Sequence, residues 1–130
     1  MKGTGYPFND DFQFPFPQLP IVVQNGLDGT RTNSLDALID TGADGTFIPI
    51  SYLHEIEAHF LDDVSIRSHW GEWRKVPQFV VNIIVSDLTL LGIFVIGDEE
   101  GEDVILGRDV LNKLRFELDG PARITRLPNQ

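Results

Sequence analysis

The stretch Ala37-Leu38-Ile39-Asp40-Thr41-Gly42-Ala43-Asp44-Gly45-Thr46 constrains the chain more than any other. An apolar run drives into a short acidic turn, and the turn opens into a second apolar run, Phe47-Ile48-Pro49-Ile50. Leu38 and Ile39 read as a buried strand. Gly42 allows a tight bend and the close approach of another backbone. Asp40 then stands at the end of a rigid strand, where its carboxylate can be aimed into the mouth of a cleft. Taken alone, the pattern also describes an ordinary strand ending in a turn, since Asp and Gly are common turn residues.

The bulk numbers set the frame for that loop. A chain of 130 residues is one ordinary domain with enough material for a core. No run of about 18 apolar residues is present to span a membrane. The start, Met1-Lys2-Gly3, lacks the apolar stretch of a secretory signal, so a cytoplasmic, free-standing protein is the expectation. Cysteine is absent, which removes disulfides, thiolate metal sites and a cysteine nucleophile. The formal net charge of −10 disfavours nucleic acid, whose phosphates need a basic footprint, and anionic membrane surfaces. It is compatible with a neutral or cationic peptide ligand.

Along the chain, residues 1–19 form an arm rich in Pro and Phe, with Phe8, Phe12, Phe14 and Phe16 among Pro7, Pro15 and Pro17. Prolines at this density forbid helix, so the arm reads as an extended strap that buries its aromatics on the body. The remaining residues, 20–130, read as the domain proper. A hairpin over residues 20–40, with Asn25-Gly26 and Asp28-Gly29 as turn signals, delivers Asp40. Ser51 is placed to cap a short helix reaching about His59. Residues 64–81 alternate on either side of Gly71 and read as a long hairpin. Further strands follow at Val81–Val85 and Leu88–Ile96, then an acidic loop at 98–103 and a buried strand, Val104-Ile105-Leu106. Asp109 is placed to cap a second short helix, and a terminal hairpin covers about 115–127. The class is mainly β, closed or sandwich-like, with one or two short helices.

The loop Asp40-Thr41-Gly42-Ala43, flanked by apolar runs, resembles the active-site loop of aspartic proteases, and most closely that of the single-domain retropepsin-like type. Val104-Ile105-Leu106-Gly107-Arg108-Asp109-Val110-Leu111 resembles the second signature of that family and lies about 65 residues downstream. The hairpin around Gly71 falls between the two, where the family carries its flap. The resemblance covers roughly residues 18–118 and implies a closed, barrel-like acid-protease fold with a flap at about 64–81. It implies that Asp40 is the catalytic carboxylate and that Thr41 and Gly42 support the loop. Gly42, Ala43 and Asp44 would line the substrate cleft, and Arg108 would form a structural ion pair with Asp44 or bind the loop near it. His69 to Trp73, with Trp70, Gly71, Glu72 and Trp73 touching substrate, would be the flap tip. This tip carries two tryptophans and a glutamate around a single glycine, a departure from the family's lightly built flap.

One Asp-Thr-Gly is too few for this chemistry, which needs two carboxylates sharing a proton. The resemblance therefore implies an obligate homodimer with Asp40 from each subunit in one site on the two-fold axis, acting on a peptide or protein substrate with no metal and no other cofactor. A second reading keeps the fold and drops the chemistry: a catalytically silent dimer serving as a peptide-binding or scaffold protein. His54-Glu55 with His59 imitates a zinc-protease motif, but its spacing is one too long, leaving the imidazoles about 140° apart on a helix. The acidic loop 98–103, if it borders the cleft, would favour Lys or Arg in substrates.

Overall fold

The structure, a computed structural model, describes residues 3–68 and 70–130. His69, expected at the flap tip, lies outside the described residues. The elements in order are β1 (Gly3–Pro7), β2 (Gln18–Gln24), β3 (Leu35–Ile39), β4 (Phe47–Pro49), α1 (Ile50–Glu55), β5 (His59–Arg67), β6 (Trp73–Val85), β7 (Leu88–Asp98), β8 (Val104–Leu106), α2 (Arg108–Leu111), β9 (Glu117–Asp119) and β10 (Ile124–Pro128). No helix among the described residues is long and apolar enough to cross a membrane.

Strand alternation builds the core. In β2, Leu19, Ile21 and Val23 point inward and are almost wholly buried, while the residues between them stay half-exposed. β6 contributes Phe79, Val81, Ile83 and Val85 to the same interior, β7 contributes Leu90, Ile93 and Val95, and β8 contributes Val104 and Leu106. Each large aliphatic side chain so buried contributes about 1.5–3 kcal/mol of transfer free energy. The step from Leu90 to Ile93 breaks the period of two because β7 bulges at Gly92, opposite Asn82, whose Oδ1 accepts the Gly92 amide at 3.1 Å. Gly92 has φ +65°, which glycine adopts without steric cost.

The main sheet runs β2-β3-β8-β4-β7-β6-β5, and β2 also pairs with β6. That pairing, Val22↔Ile84 to Gln24↔Asn82, closes six strands into a barrel and leaves β5 outside the ring. The C-terminal half of β6 therefore belongs to the barrel. Its N-terminal half pairs with β5 alone and projects as a hairpin. The two strands are joined at the tip by the Ser68 amide donating to Glu72 O at 2.7 Å, with Gly71 at φ +86°.

The hairpin is longer at its base than the alternation over 64–81 indicated, because β6 runs unbroken from Trp73 to Val85. His59 begins β5 and does not end a helix: α1 stops at Glu55, and Glu57 takes a left-handed conformation at φ 51°. Nor does Ser51 cap α1. Pro49 occupies that position, with no side-chain hydrogen bond, and the helix is held instead by Leu53 and Ile56, both fully buried.

A second sheet, β1-β10-β9, ties the two ends of the chain together. β1 pairs with β10 from Gly3↔Pro128 to Pro7↔Ile124, and β10 pairs with β9 on its other side. Between β1 and β2 the Pro/Phe-rich segment folds back on itself, with Asn9 and Phe16 exchanging backbone hydrogen bonds of 2.7 and 3.0 Å.

Candidate active site

Asp40 follows directly on β3, which is fixed on both flanks. β3 pairs in parallel with β8, and the Asp40 amide extends that ladder by donating to Leu106 O at 3.0 Å. On the other side the Ile39 amide donates to Pro17 O at 2.9 Å. The backbone is thus held right up to Asp40. The chain then turns at once: Ala43 N–H donates to Asp40 O at 3.2 Å, and Gly42 N–H donates to Asp40 Oδ1 at 2.9 Å. That second bond orients a half-buried carboxylate from its own loop.

The turn between β8 and α2 braces the loop from beneath. The Arg108 amide donates to Ala43 O at 2.9 Å, and the Arg108 guanidinium donates to Thr41 O at 2.8 Å and to the Asp44 carboxylate. Both side chains of the ion pair are substantially exposed, so the charge attraction itself is worth only about 0–1 kcal/mol. The fork geometry of arginine does more, because one side chain spans two points of the same loop. Gly107 permits the close approach. A Cβ there would stand 2.9 Å from Ala43 O and closer still to Gly45 O.

Thr46 completes the brace. Its hydroxyl donates to Asp109 Oδ1 at 2.8 Å and accepts the Gly107 amide at 3.2 Å, while its own amide donates to Asp109 Oδ2 at 3.3 Å. Asp109 therefore does not cap α2, as its position suggested; Gly107 holds that place and Asp109 reaches across to the other loop. Thr46 and Asp109 carry no local signal of this pairing, being 63 residues apart. A polar residue placed just before the buried run Phe47-Ile48-Pro49 is the one clue the sequence offers.

Beside the loop lies a pocket of about 480 Å³. Phe47, Ile66, Val76, Ile96 and Ile105 give it apolar walls, and Asp98, Glu99, Glu100 and Arg74 stand around it. Ile105 is adjacent to Leu106, which receives the Asp40 amide, and Phe47 follows Thr46, so the pocket adjoins the Asp40 loop. The projecting hairpin reaches this pocket through its strands, by Ile66, Arg74 and Val76. These residues were not marked out in the sequence, although their alternation within the hairpin places them on one face.

The sequence-marked residues fall into two groups. Asp40, Thr41, Gly42, Ala43, Asp44 and Arg108 form one connected loop assembly. Trp70, Gly71, Glu72 and Trp73 lie together at the hairpin turn. Trp70 and Trp73 are 87% and 68% exposed, so neither packs the hairpin onto the barrel, and the Arg67 guanidinium sits 5.9 Å over the Trp73 ring. Among the described residues, no group of three or more His, Asp or Glu side chains is gathered closely enough to hold a metal ion.

The chain matches solved structures over most of its length. The fold is retropepsin-like. A retropepsin-like aspartic protease from Rickettsia conorii superposes with a TM-score of 0.65 at 14% identity, covering 97% of this chain and 90% of that one. The EIAV protease, complexed with the inhibitor HBY-793, superposes with a TM-score of 0.52 at 20% identity, covering 83% of this chain and 93% of that one. No family model and no curated protein matches the sequence. At these identities the likeness is one of fold.

Proposed function

We propose that this chain is an aspartic endopeptidase whose catalytic pair is Asp40 of one protomer and Asp40 of its partner. The observation that carries the reading is the mounting of Asp40: its backbone amide is held by the Leu106 carbonyl and its half-buried carboxylate by the Gly42 amide, in an Asp-Thr-Gly loop of a retropepsin-like fold beside a pocket. Both structural relatives are described as proteases, one of them bound to an inhibitor.

A single Asp-Thr-Gly makes the site incomplete in one chain. In a two-fold dimer, the two Asp40 carboxylates face each other on the axis. Like charges a few Å apart cannot both ionise, so the pair holds one proton and titrates as a unit. The ionised member draws a proton from a water between them, and that water attacks the scissile carbonyl. The protonated member hydrogen-bonds the carbonyl oxygen as negative charge develops on it. Proton return to the leaving nitrogen completes hydrolysis. Gly42, Ala43 and Asp44 supply the floor on which substrate backbone lies, and the turn from Trp70 to Trp73 closes from above.

The terminal strands bear on how two copies meet. β10 already has β1 on one side and β9 on the other, so a partner joins at an outer edge of that sheet or through the barrel.

The deciding experiment incubates the purified protein with a diverse peptide mixture from about pH 3.5 to 7, with and without a pepstatin-type inhibitor, beside Asp40→Asn. Cleavage by the native protein that vanishes in the variant supports the proposal. A folded dimer that cleaves nothing points to the silent peptide-binding scaffold, and a protein that stays monomeric at assay concentration overturns the shared site.

A further inference from the structure

Resting on the proteolytic reading, we propose that the pocket between the flap and the Asp98–Asp103 loop selects a basic side chain, lysine or arginine, in the substrate. The pocket has two chemically different zones. Its walls are aliphatic and aromatic, formed by Phe47, Ile66, Val76, Ile96 and Ile105. Its rim is charged, with three carboxylates, Asp98, Glu99 and Glu100, against one cation, Arg74. An apolar pocket bordered by exposed carboxylates fits a side chain with a long methylene stem and a cationic head, since the stem is buried while the head stays at the charged, wetter edge.

The chain itself shows a basic side chain seated on this rim. Arg74 projects from β6 and its guanidinium lies 3.0 Å from the Glu100 carboxylate, across the opening from the flap to the loop. That pairing uses one carboxylate and neutralises one charge. Asp98 is engaged by its own loop, Oδ1 accepting the Glu100 and Gly101 amides at 3.0 and 2.8 Å. Its negative charge remains, and Glu99 is exposed. The rim thus keeps a net negative balance after Arg74 is counted, on a protein whose net charge of −10 already draws cations towards it. An acidic substrate side chain at the same place meets Asp98, Glu99 and Glu100 with only Arg74 in its favour.

The test uses peptides differing at one position, from three residues before the scissile bond to three after, with lysine, norleucine or glutamate there. Norleucine keeps the stem and removes the charge. The readout is the ratio of kcat/KM for lysine over glutamate, taken within each protein, so that a change common to all peptides cancels. The native protein is expected to show a ratio of about tenfold at one position, shrinking as NaCl is raised from about 0.05 to 0.5 M, because the rim is open to screening. In the double variant Glu99→Gln, Glu100→Gln the ratio should fall to about twofold or less. In Arg74→Gln, which frees Glu100, it should rise. A ratio near or below one at every position, or a native ratio that survives in the double variant, overturns the proposal while leaving the protease standing. Failure to cut any peptide, norleucine included, overturns the proteolytic reading and this proposal with it.

Discussion

The hydroxyl of Thr46 donates to Asp109 and accepts from Gly107, joining the two loops of the candidate site through one fully buried side chain. The Asp40 loop and the β8–α2 junction come from opposite halves of the sequence. Thr46 gives them a shared anchor on one side, as the Arg108 fork does on the other.

Replacing Thr46 with valine keeps the shape and removes that anchor. The Gly107 amide is then left without a partner in a poorly solvated place, and the Asp109 carboxylate keeps only the backbone amides at positions 46 and 110. Unfolding in urea should show a loss of about 1–3 kcal/mol. Thr46→Ser, which keeps the hydroxyl, should recover most of it. Equal stability in Thr46→Val and the native protein would show that water replaces the hydroxyl without cost.

Gly107→Ala tests the close approach of the two loops. Its Cβ would collide with backbone atoms of Ala43 and Gly45, which cannot rotate aside as a side chain would. The φ of Gly107 is −93°, so the cost is one of space and not of backbone conformation. The expected destabilisation is about 1–3 kcal/mol, typical of forced overpacking, accompanied by loss of cleavage because the loop carrying Asp40 must shift. Denaturant midpoints and peptide cleavage, measured together, check both halves.

Arg108→Lys separates charge from geometry. Lysine keeps the attraction to Asp44 but cannot span both the Thr41 carbonyl and the Asp44 carboxylate. The pair is exposed, so stability should change by less than about 1 kcal/mol. On the proposed proteolytic reading, cleavage should fall by about 10- to 100-fold, since displacing a catalytic group by an ångström costs on that order. A variant as active as the native protein would make Arg108 a surface ion pair and nothing more.

Most of this assembly was legible in the sequence because it is written locally. The apolar run into Asp40-Thr41-Gly42, the buried triplet ending at Gly107, and the alternation on either side of Gly71 each announce an element and its end. What stayed hidden depends on pairs distant in the chain. The Thr46–Asp109 contact and the register of Gly3 with Pro128 leave no periodicity to read. The end of α1, at Glu55, departs from the spacing for a related reason. Leu53 and Ile56 fit helical spacing, but Ala58 turns back to Leu53 O, and the next residues find a strand partner in β6. Tertiary pairing overrode a helix that spacing alone would have prolonged.

The terminal sheet carries a test of pH dependence. Arg126 on β10 donates at 2.7 Å to both Glu117 and Asp119 on β9. Its hydrogen bond, with a second from the Ala122 amide, holds the Asp119 carboxyl below its ordinary value of 3.8. A carboxylate with a depressed pKa stabilises the fold above its unfolded pKa and loses that contribution as pH falls through the folded value. Arg126→Gln should therefore be less stable than the native protein at pH 7. The gap should hold down to about pH 4 and narrow below 3.8 as Asp119 takes up its proton. Thermal unfolding of both proteins from pH 2 to 7 measures it, and a gap constant across that range would assign the loss to packing by the arginine stem.

Removing residues 1–7 tests what β1 does for the terminal sheet. β1 is largely exposed and held through its pairing with β10, with Tyr6 its one half-buried residue. Without it, β9 and β10 are left as a two-stranded hairpin, which is marginal in water without a third strand or a packed face. Leu127 and Thr125, now buried, lose cover, and the β10 edge gains five residues of unpaired backbone. Such an edge recruits another strand. The truncated protein should melt at lower temperature and self-associate more strongly in sedimentation than the full chain. The gain should grow with concentration, because the new neighbour comes from a second copy. If cleavage of a good peptide rises with that association, β1 is a strand that holds the edge closed against a partner. If association rises and cleavage falls, the new contact competes with the one that brings the two Asp40 loops together.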